Sequence, residues 1–263
     1  MGRAHSPEMV GNQALARAVW ANCERKAWSL SRSPTVPLQV RALAGTTMAA
    51  MTGHDHLLQA PGTAPYLRAQ GLGWQPPGAG SPLLLAGLDF ELGPGLHLVQ
   101  GGEGRGKTAL LRLLAGLLVP DAGQLERQLA SQAWPDPLDP ARDAQQAADW
   151  LAEERARHAA WHADAAAALQ EAWQLGPHMA KQMHMLSAGS RRKLGLLAAA
   201  ASGAELVLLD MPFAALDGIS RRVLLELLED AARQCRQIWV MADYAAPSGL
   251  DASLFASRID LGE

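Results

Sequence analysis

The fold of this chain is decided by the stretch Gly101-Gly102-Glu103-Gly104-Arg105-Gly106-Lys107-Thr108. It satisfies the pattern G-x-x-x-x-G-K-[ST], in which glycines let backbone N–H groups curl around a phosphate. The apolar run 95–100 before it predicts a short strand, and the leucine-rich run 109–118 after it predicts a helix. Strand, glycine loop and helix in this order predict a phosphate-binding loop (P-loop) rather than a simple glycine-rich turn.

The residue types in this loop suit the binding of a nucleotide. Lys107 reaches the terminal phosphates, Thr108 offers a hydroxyl to Mg²⁺, and the helix N-terminus adds positive potential. Such a loop needs a second metal-side carboxylate at the end of a buried strand, and the apolar run 206–209 ends at Asp210. The loop and this carboxylate therefore predict binding of nucleotide phosphates and Mg²⁺, with Asp210 as the Walker-B candidate.

Strands and helices alternate along the chain, which predicts an α/β fold with mainly parallel core strands. The stretch 83–92 alternates apolar and polar residues and breaks at Gly93-Pro94-Gly95, a pattern typical of a β-hairpin. Between Pro140 and His184 the composition shifts to Ala, Gln, Glu, Arg and Trp without a strand pattern. This shift predicts a helical insertion.

Charge and composition exclude several classes of function. A formal net charge of -3 provides no basic field for nucleic acid, so no nucleic-acid partner is expected. The longest charge-free stretch, 71–88, contains Pro-Pro-Gly and cannot form a membrane-spanning helix. Two distant cysteines provide neither a disulfide framework nor a metal knuckle. Work at a membrane therefore requires a partner.

The N-terminal region differs in composition from the rest of the chain. The first fifty residues contain no aspartate and two glutamates, against five arginines and one lysine, and they lack the compact apolar stretch of a secretory signal. Residues 1–63 are predicted to be a weakly structured extension. We expect a truncated chain that starts at Met51 to fold and to bind ATP.

Four motifs in order resemble an ATP-binding cassette (ABC) ATPase over residues 64–263. They are the P-loop, Leu186-Ser187-Ala188-Gly189 at a helix start, the strand that ends at Asp210, and Ala215-Leu216-Asp217. The resemblance implies a P-loop NTPase core of ABC type with an antiparallel β-subdomain and a helical subdomain at about 140–200. The runs 111–117, 120–123 and 212–213 most resemble the small ATP-binding subunit of the bacterial haem exporter of cytochrome c biogenesis.

The resemblance also implies partners and further site residues. Two cassettes pair head to tail, so that Ser187 and Gly189 of one chain cap the ATP on the P-loop of a second cassette, while a transmembrane permease holds the pair at the cytoplasmic face of the membrane. The glutamine of the family's Q-loop, a metal ligand, corresponds to Gln132, with Gln128 as a weaker choice. The adenine-stacking aromatic corresponds to Trp74, although Tyr66 lies further off and Pro76 could occupy the aligned position.

Two catalytic positions depart from the family pattern. Met211 stands where the family has the glutamate that polarises water, and Asp243 stands where it has the switch histidine. The usual signature glutamine is Ser190. Two hypotheses follow: an ATP-binding transporter subunit with slow hydrolysis, or a hydrolysis-deficient regulatory cassette that binds ATP as a clamp beside an intact partner.

Four remaining clusters have simpler interpretations. His178-Met179 and Met183-His184-Met185 contain haem- and copper-ligating residue types, but packing or contact with a partner is the preferred interpretation. The same caution applies to His54-Asp55-His56. The run Arg191-Arg192-Lys193 is interpreted as a solvated helix face, with contact to nucleotide or partner as the alternative.

Overall fold

A computed structural model describes residues 64–78 and 83–262 of the chain. Strands and helices alternate in it, and the predicted α/β fold is confirmed. In chain order the elements are β1 (Tyr66–Trp74), β2 (Leu85–Leu92), β3 (Gly95–Gln100), α1 (Lys107–Leu114), β4 (Ala122–Gln128), β5 (Gln132–Ala133), α2 (Ala147–Arg157), α3 (Ala163–Ala172), α4 (Ala188–Ala201), β6 (Leu206–Asp210), α5 (Gly218–Gln234), β7 (Ile238–Asp243) and β8 (Phe255–Asp260).

The larger sheet is parallel, with the strand order β5-β6-β7-β3-β8. Its central strands are buried almost throughout, which explains why β6 and β7 are apolar up to their last residue and why β3 is apolar except for the buried His97 and its last residue. Gln100 pairs with Asp243 and Asp210 pairs with Ala242. The carboxyl ends of these three strands therefore meet at one edge of the sheet, where ligands of open α/β folds bind.

The smaller sheet is antiparallel, with the order β2-β1-β4. The expected hairpin at Gly93-Pro94-Gly95 is wrong, because β2 pairs with β1 while β3 lies in the parallel sheet. The glycines and proline instead mark a crossover between two sheets. Local turn residues predict that the chain turns, but the burial of β3 decides which strands it pairs with.

The helical insertion comprises α2 and α3, which pack against α4, and α4 in turn contacts β6 of the parallel sheet. Trp150, Leu169, Trp173 and Met183 are buried in one continuous core with residues of α4, β6 and β7. Met183 is therefore a core side chain, and His184 Nδ1 lies 2.8 Å from the carbonyl oxygen of Asp143. Within the described residues, no group of three or more His, Cys, Asp and Glu side chains could hold a metal ion.

The extension 1–63, including the cluster at 54–56, lies outside the described residues, and its dispensability stays a prediction. In the parts of the chain that the structure describes, no helix has both the length and the apolar composition needed to cross a bilayer.

Candidate nucleotide site

The P-loop occupies the turn between β3 and α1, and its geometry requires glycine. Gly104 and Gly106 have φ values of 73° and 91°, in the left-handed region that side chains disfavour. A Cβ at Gly106 would lie 2.8 Å from Leu85 Cδ2, so the loop also packs directly against β2. Glu103 and Arg105 are exposed at the tip of the loop.

The base of the loop is tied to the C-terminal end of the described chain. Gly102 N–H donates to the carbonyl oxygen of Gly262 at 2.8 Å, and Leu261 N–H donates to that of Gln100 at 2.9 Å. The N–H of Gly102 is therefore already used within the protein. Phosphate contacts from backbone N–H groups are left to the later part of the loop and the start of α1.

Lys107 begins α1, and its ammonium is nearly enclosed by the protein. Its Nζ donates to the carbonyl oxygens of Gly101 at 2.7 Å and Gly102 at 2.6 Å, and it lies 4.4 Å from the ring centre of Tyr244. Only 8% of the residue is exposed, whereas Tyr244 is 55% exposed. Sequence reasoning missed Tyr244; the signal that could have pointed to it is its place directly after Asp243, at the carboxyl end of β7.

The predicted metal-side pair is brought together across 102 residues of sequence. Thr108 Oγ1 donates to Asp210 Oδ2 at 2.7 Å. Hydroxyl and carboxylate oxygens are ligands that Mg²⁺ prefers. The donor set therefore fits Mg²⁺, with Thr108 and Asp210 as the residues that would hold it beside the phosphates.

Gln132 is not brought to this pair, which corrects its assignment as a metal ligand. Its register partner is Leu206 at the start of β6, four residues or about 13 Å along the strand from Asp210. Gln132 Nε2 donates to the carbonyl oxygen of Ala115, and its Oε1 accepts from Arg127. The side chain therefore belongs to the opposite end of the sheet.

Asp136 lies at the end of the sheet that carries Asp210, where Gln132 does not lie. It comes shortly after the short strand β5, while Asp210 is the last residue of the neighbouring parallel strand β6, and both line a cavity of about 590 Å³ with Thr108, Met211 and Arg192. The signal in the sequence was Trp134-Pro135-Asp136 after a short strand.

Met211 places a thioether, with no carboxylate, directly after Asp210. Its φ of 47° lies in the left-handed region, and its N–H donates to the carbonyl oxygen of Ala242 at 2.9 Å. Arg192 Nη1 donates to the carbonyl oxygens of Asp210 at 3.0 Å and Met211 at 2.7 Å. Among the described residues, Arg192 Nε is the buried side-chain polar atom without a hydrogen-bond partner, and burial lowers the pKa of the guanidinium.

The interpretation of the run Arg191–Lys193 as a solvated helix face is wrong. Arg191 pairs with Asp143 at 2.7 Å, and Lys193 lies 3.6 Å from Asp217. Arg192 holds the Walker-B turn through the two bonds just described. The three cations therefore tie α4 to the helical insertion, to β6 and to the loop after it.

Asp243 ends β7 on the same side of the sheet as the P-loop. Burial raises the pKa of its carboxyl, and the N–H of Tyr244, which donates to Oδ1 at 2.8 Å, opposes that shift, as do Lys107 and Arg221. A carboxylate here adds negative charge near the phosphates, where a catalytic site needs positive charge.

The signature residues Ser187 and Gly189 lie at the start of α4. Ser187 is exposed and caps the helix, accepting from the N–H of Ser190 at 3.1 Å. A Cβ at Gly189 would lie closer than 3.0 Å to the carbonyl oxygen of Ala215. The glycine is therefore required by packing within this chain, beside any role toward a second cassette.

Trp74 lies close to the P-loop, and Tyr66 does not. Trp74 is half-buried and pairs with Leu85, the residue whose side chain packs against Gly106. Tyr66 lies at the opposite end of β1, where its hydroxyl donates to Glu126. Of these two aromatics, Trp74 is therefore the one near the P-loop, and its stacking on adenine stays a prediction.

The model of the ABC transporter family matches residues 85–214. The chain is 36% identical over 173 residues to the cytochrome c biogenesis ATP-binding export protein CcmA of Pseudomonas putida (strain GB-1), covering 59% of this chain and 78% of that protein. The CcmA of Roseobacter denitrificans is 37% identical over 184 residues, covering 68% and 79%. The chain belongs to the ATP-binding subunits of ABC transporters.

Other relatives of this ABC subunit carry different names. The taurine import ATP-binding protein TauB of Pseudomonas syringae pv. tomato is 32% identical over 180 residues, covering 62% of this chain and 66% of that protein. The solved structure of an ATP-binding protein from Pyrococcus furiosus has a TM-score of 0.58 at 19% identity and covers 74% of this chain and 97% of that one. The latter likeness supports the fold alone.

Proposed function

We propose that this chain binds Mg-ATP, pairs with a second ATP-binding cassette and drives a transmembrane permease from the cytoplasmic face of the cell membrane. The observation that carries the proposal is the Thr108–Asp210 hydrogen bond of 2.7 Å beside the P-loop lysine, since it assembles metal ligands and phosphate cradle. CcmA relatives at 36–37% identity favour export of haem for cytochrome c biogenesis as the transported process.

Hydrolysis by this subunit is proposed to be slow. A positioned general base contributes about 10²–10⁴-fold to a rate, and Met211 has no group that can accept the proton of the attacking water. Asp243 does not supply the positive charge of a switch histidine. Binding and phosphate positioning by Lys107, Thr108 and Asp210 remain.

The same two substitutions favour a second candidate, a regulatory or structural cassette that binds ATP as a clamp. In a heterodimer, one good catalytic site would combine the Walker motifs of an intact partner with Ser187 and Gly189 of this chain. Co-purification of the partner distinguishes the candidates. A partner that carries the family's glutamate and switch histidine supports the clamp, whereas a homodimer supports a slow ATPase.

Nucleotide binding is tested by thermal unfolding of the full chain with and without Mg-nucleotide. A ligand at 100 times its Kd stabilises a protein by about 2.7 kcal/mol, which for a domain of this size is a rise in Tm of about 5–10 °C. Lys107→Ala should abolish most of that rise. Lys181→Ala, which removes an exposed lysine of the helical insertion, is the matched control and should keep it.

Equal nucleotide-induced rises in wild type and Lys107→Ala would contradict the proposed site. Because Lys107 also bonds two carbonyl groups of its own loop, the Tm of each variant without nucleotide is the reference for its own shift.

A further inference from the structure

Tyr244 covers the ammonium of Lys107 on the side of the site where strand β7 ends. The ring centre lies 4.4 Å from Nζ, well inside the range of a cation–π contact. Two carbonyl oxygens of the P-loop accept from the same ammonium at 2.6 and 2.7 Å. The three contacts together leave little of the lysine head for a ligand unless one of them is given up.

The place of Tyr244 at the carboxyl end of β7 points to the phosphate that its ring opposes. Backbone N–H groups of a P-loop hold the α- and β-phosphates, while its lysine reaches the β- and γ-phosphates. Asp243 pairs with Gln100, so Tyr244 leaves β7 at the edge where β3 enters the P-loop. Asp210 and Met211 lie at this same edge, after the neighbouring strand β6. This is the side on which a terminal phosphate would meet the lysine and the metal.

The charges at this edge also disfavour a further phosphate. The carboxylates of Asp136, Asp210 and Asp243 all lie close enough to Arg192 to interact with it electrostatically, and Asp243 and Lys107 interact in the same way. Arg192 is already held by the carbonyl oxygens of Asp210 and Met211. A diphosphate keeps the backbone cradle and the Thr108 metal ligand while adding less negative charge to this edge.

We propose that the site of this chain selects a nucleoside diphosphate over a nucleoside triphosphate, and that Tyr244 is the residue that determines this selectivity. The inference rests on the proposed nucleotide-binding function and refines its ligand. A triphosphate still binds, but its terminal phosphate has to displace the ring from Lys107.

The test is isothermal titration of the full chain with MgADP and with the magnesium complex of adenosine 5′-(β,γ-imido)triphosphate, which is not hydrolysed during the measurement. A cation–π contact of ordinary strength predicts a diphosphate preference of about 2- to 30-fold in wild type. Tyr244→Ala and Tyr244→Leu should lower the ratio of the two Kd values by this factor, leaving only the preference that the carboxylates at this edge contribute. Tyr244→Phe keeps the ring face and should keep the preference.

Each outcome decides the inference. A wild-type Kd for the triphosphate analogue equal to or below that for MgADP overturns the selectivity while nucleotide binding stands. A ratio that Tyr244→Ala and Tyr244→Leu both leave unchanged overturns the role of Tyr244. If wild type binds neither nucleotide, the proposed function fails and this inference fails with it. Because Tyr244 is 55% exposed, these substitutions remove little buried surface.

Discussion

Gly189→Ala and Gly218→Ala place the same methyl group in the first turn of two helices that begin in the same way. Ser187 caps α4 by accepting from the N–H of Ser190, and Asp217 caps α5 by accepting from that of Ser220. A Cβ at Gly218 would meet nothing within 4 Å, whereas one at Gly189 would lie closer than 3.0 Å to a backbone carbonyl oxygen. The pair therefore isolates a steric effect from helix propensity.

The added methyl group has two opposed effects on the free energy of unfolding, and each can be estimated separately. Replacing glycine by alanine in a helix stabilises by up to about 1 kcal/mol, and this gain is common to both variants. Forcing an extra methyl group against atoms that cannot move freely costs about 1–3 kcal/mol, and only Gly189→Ala incurs it. We expect Gly218→Ala to be neutral or stabilising and Gly189→Ala to be less stable by about 1–3 kcal/mol than Gly218→Ala.

Urea unfolding followed by tryptophan fluorescence measures the free energy of unfolding, and thermal unfolding provides a second readout. For a domain of this size the expected difference corresponds to about 2–12 °C in Tm. Equal stability of the two variants would refute the reasoning, because it would mean that the loop containing Ala215 retreats without cost. The signature glycine would then have no packing role within the chain.

Three further perturbations test separate parts of the structure. Burial lowers the pKa of His97, so the unfolded chain binds a proton more readily than the folded chain. The free energy of unfolding should therefore fall as pH drops below about 6.5. The urea midpoint of His97→Gln should decline less steeply with falling pH than that of wild type. An equally steep decline would contradict the assignment. The double variant Met211→Glu with Asp243→His should release phosphate from saturating Mg-ATP on the order of 10²-fold faster than wild type. Robust wild-type turnover that is absent in a P-loop lysine variant would show that another base operates. Asp210→Asn should weaken the Mg²⁺ dependence of nucleotide binding, whereas Gln132→Ala should leave it unchanged; an equal loss in both would return Gln132 to the metal site.

The P-loop and its Walker-B partner could be predicted from sequence because both depend on strand ends. A strand followed by a glycine loop and a helix fixes Lys107 and Thr108 locally, and the carboxyl ends of neighbouring parallel strands share one edge. Once the run 206–209 is interpreted as a core strand, Asp210 has to lie at that edge. The observed hydrogen bond from Thr108 is a direct consequence of this topology.

Gln132 and Asp136 show where spacing stops being informative. Counting 25 residues from Lys107 identifies a glutamine, but β5 contains only two residues and Gln132 is the first of them. A shift of four positions moves a side chain from one end of the sheet to the other. The pairing of Gln132 with Leu206 decides the matter, and that pairing is a tertiary fact that no local pattern carries.

The partners of the three cations of α4 could not be predicted from the sequence for a related reason. Three consecutive basic residues on a helix are usually solvated, but Arg191 and Lys193 find carboxylates 48 and 24 residues away in the chain. Arg192 finds backbone carbonyl groups instead of a carboxylate, and these belong to the Walker-B turn. These hydrogen bonds of Arg192 depend on the path of the turn after Asp210, which includes the left-handed conformation of Met211.

Gly189 of the signature motif is required by packing within this chain and is also proposed to contact the nucleotide of a second cassette. A test of the second role therefore has to be independent of the first. Any side chain at Gly189 is forced against the loop at Ala215, so a loss of activity in a Gly189 variant is not evidence for contact with nucleotide. Ser187 is the better probe because it is exposed and its structural task, hydrogen bonding to the N–H and the hydroxyl of Ser190, can be kept in Ser187→Thr. If the hydroxyl also caps the nucleotide of a partner, Ser187→Ala should lower the activity of the mixed dimer more than its loss of stability explains. Ser187→Thr should restore the stability more completely than it restores the activity.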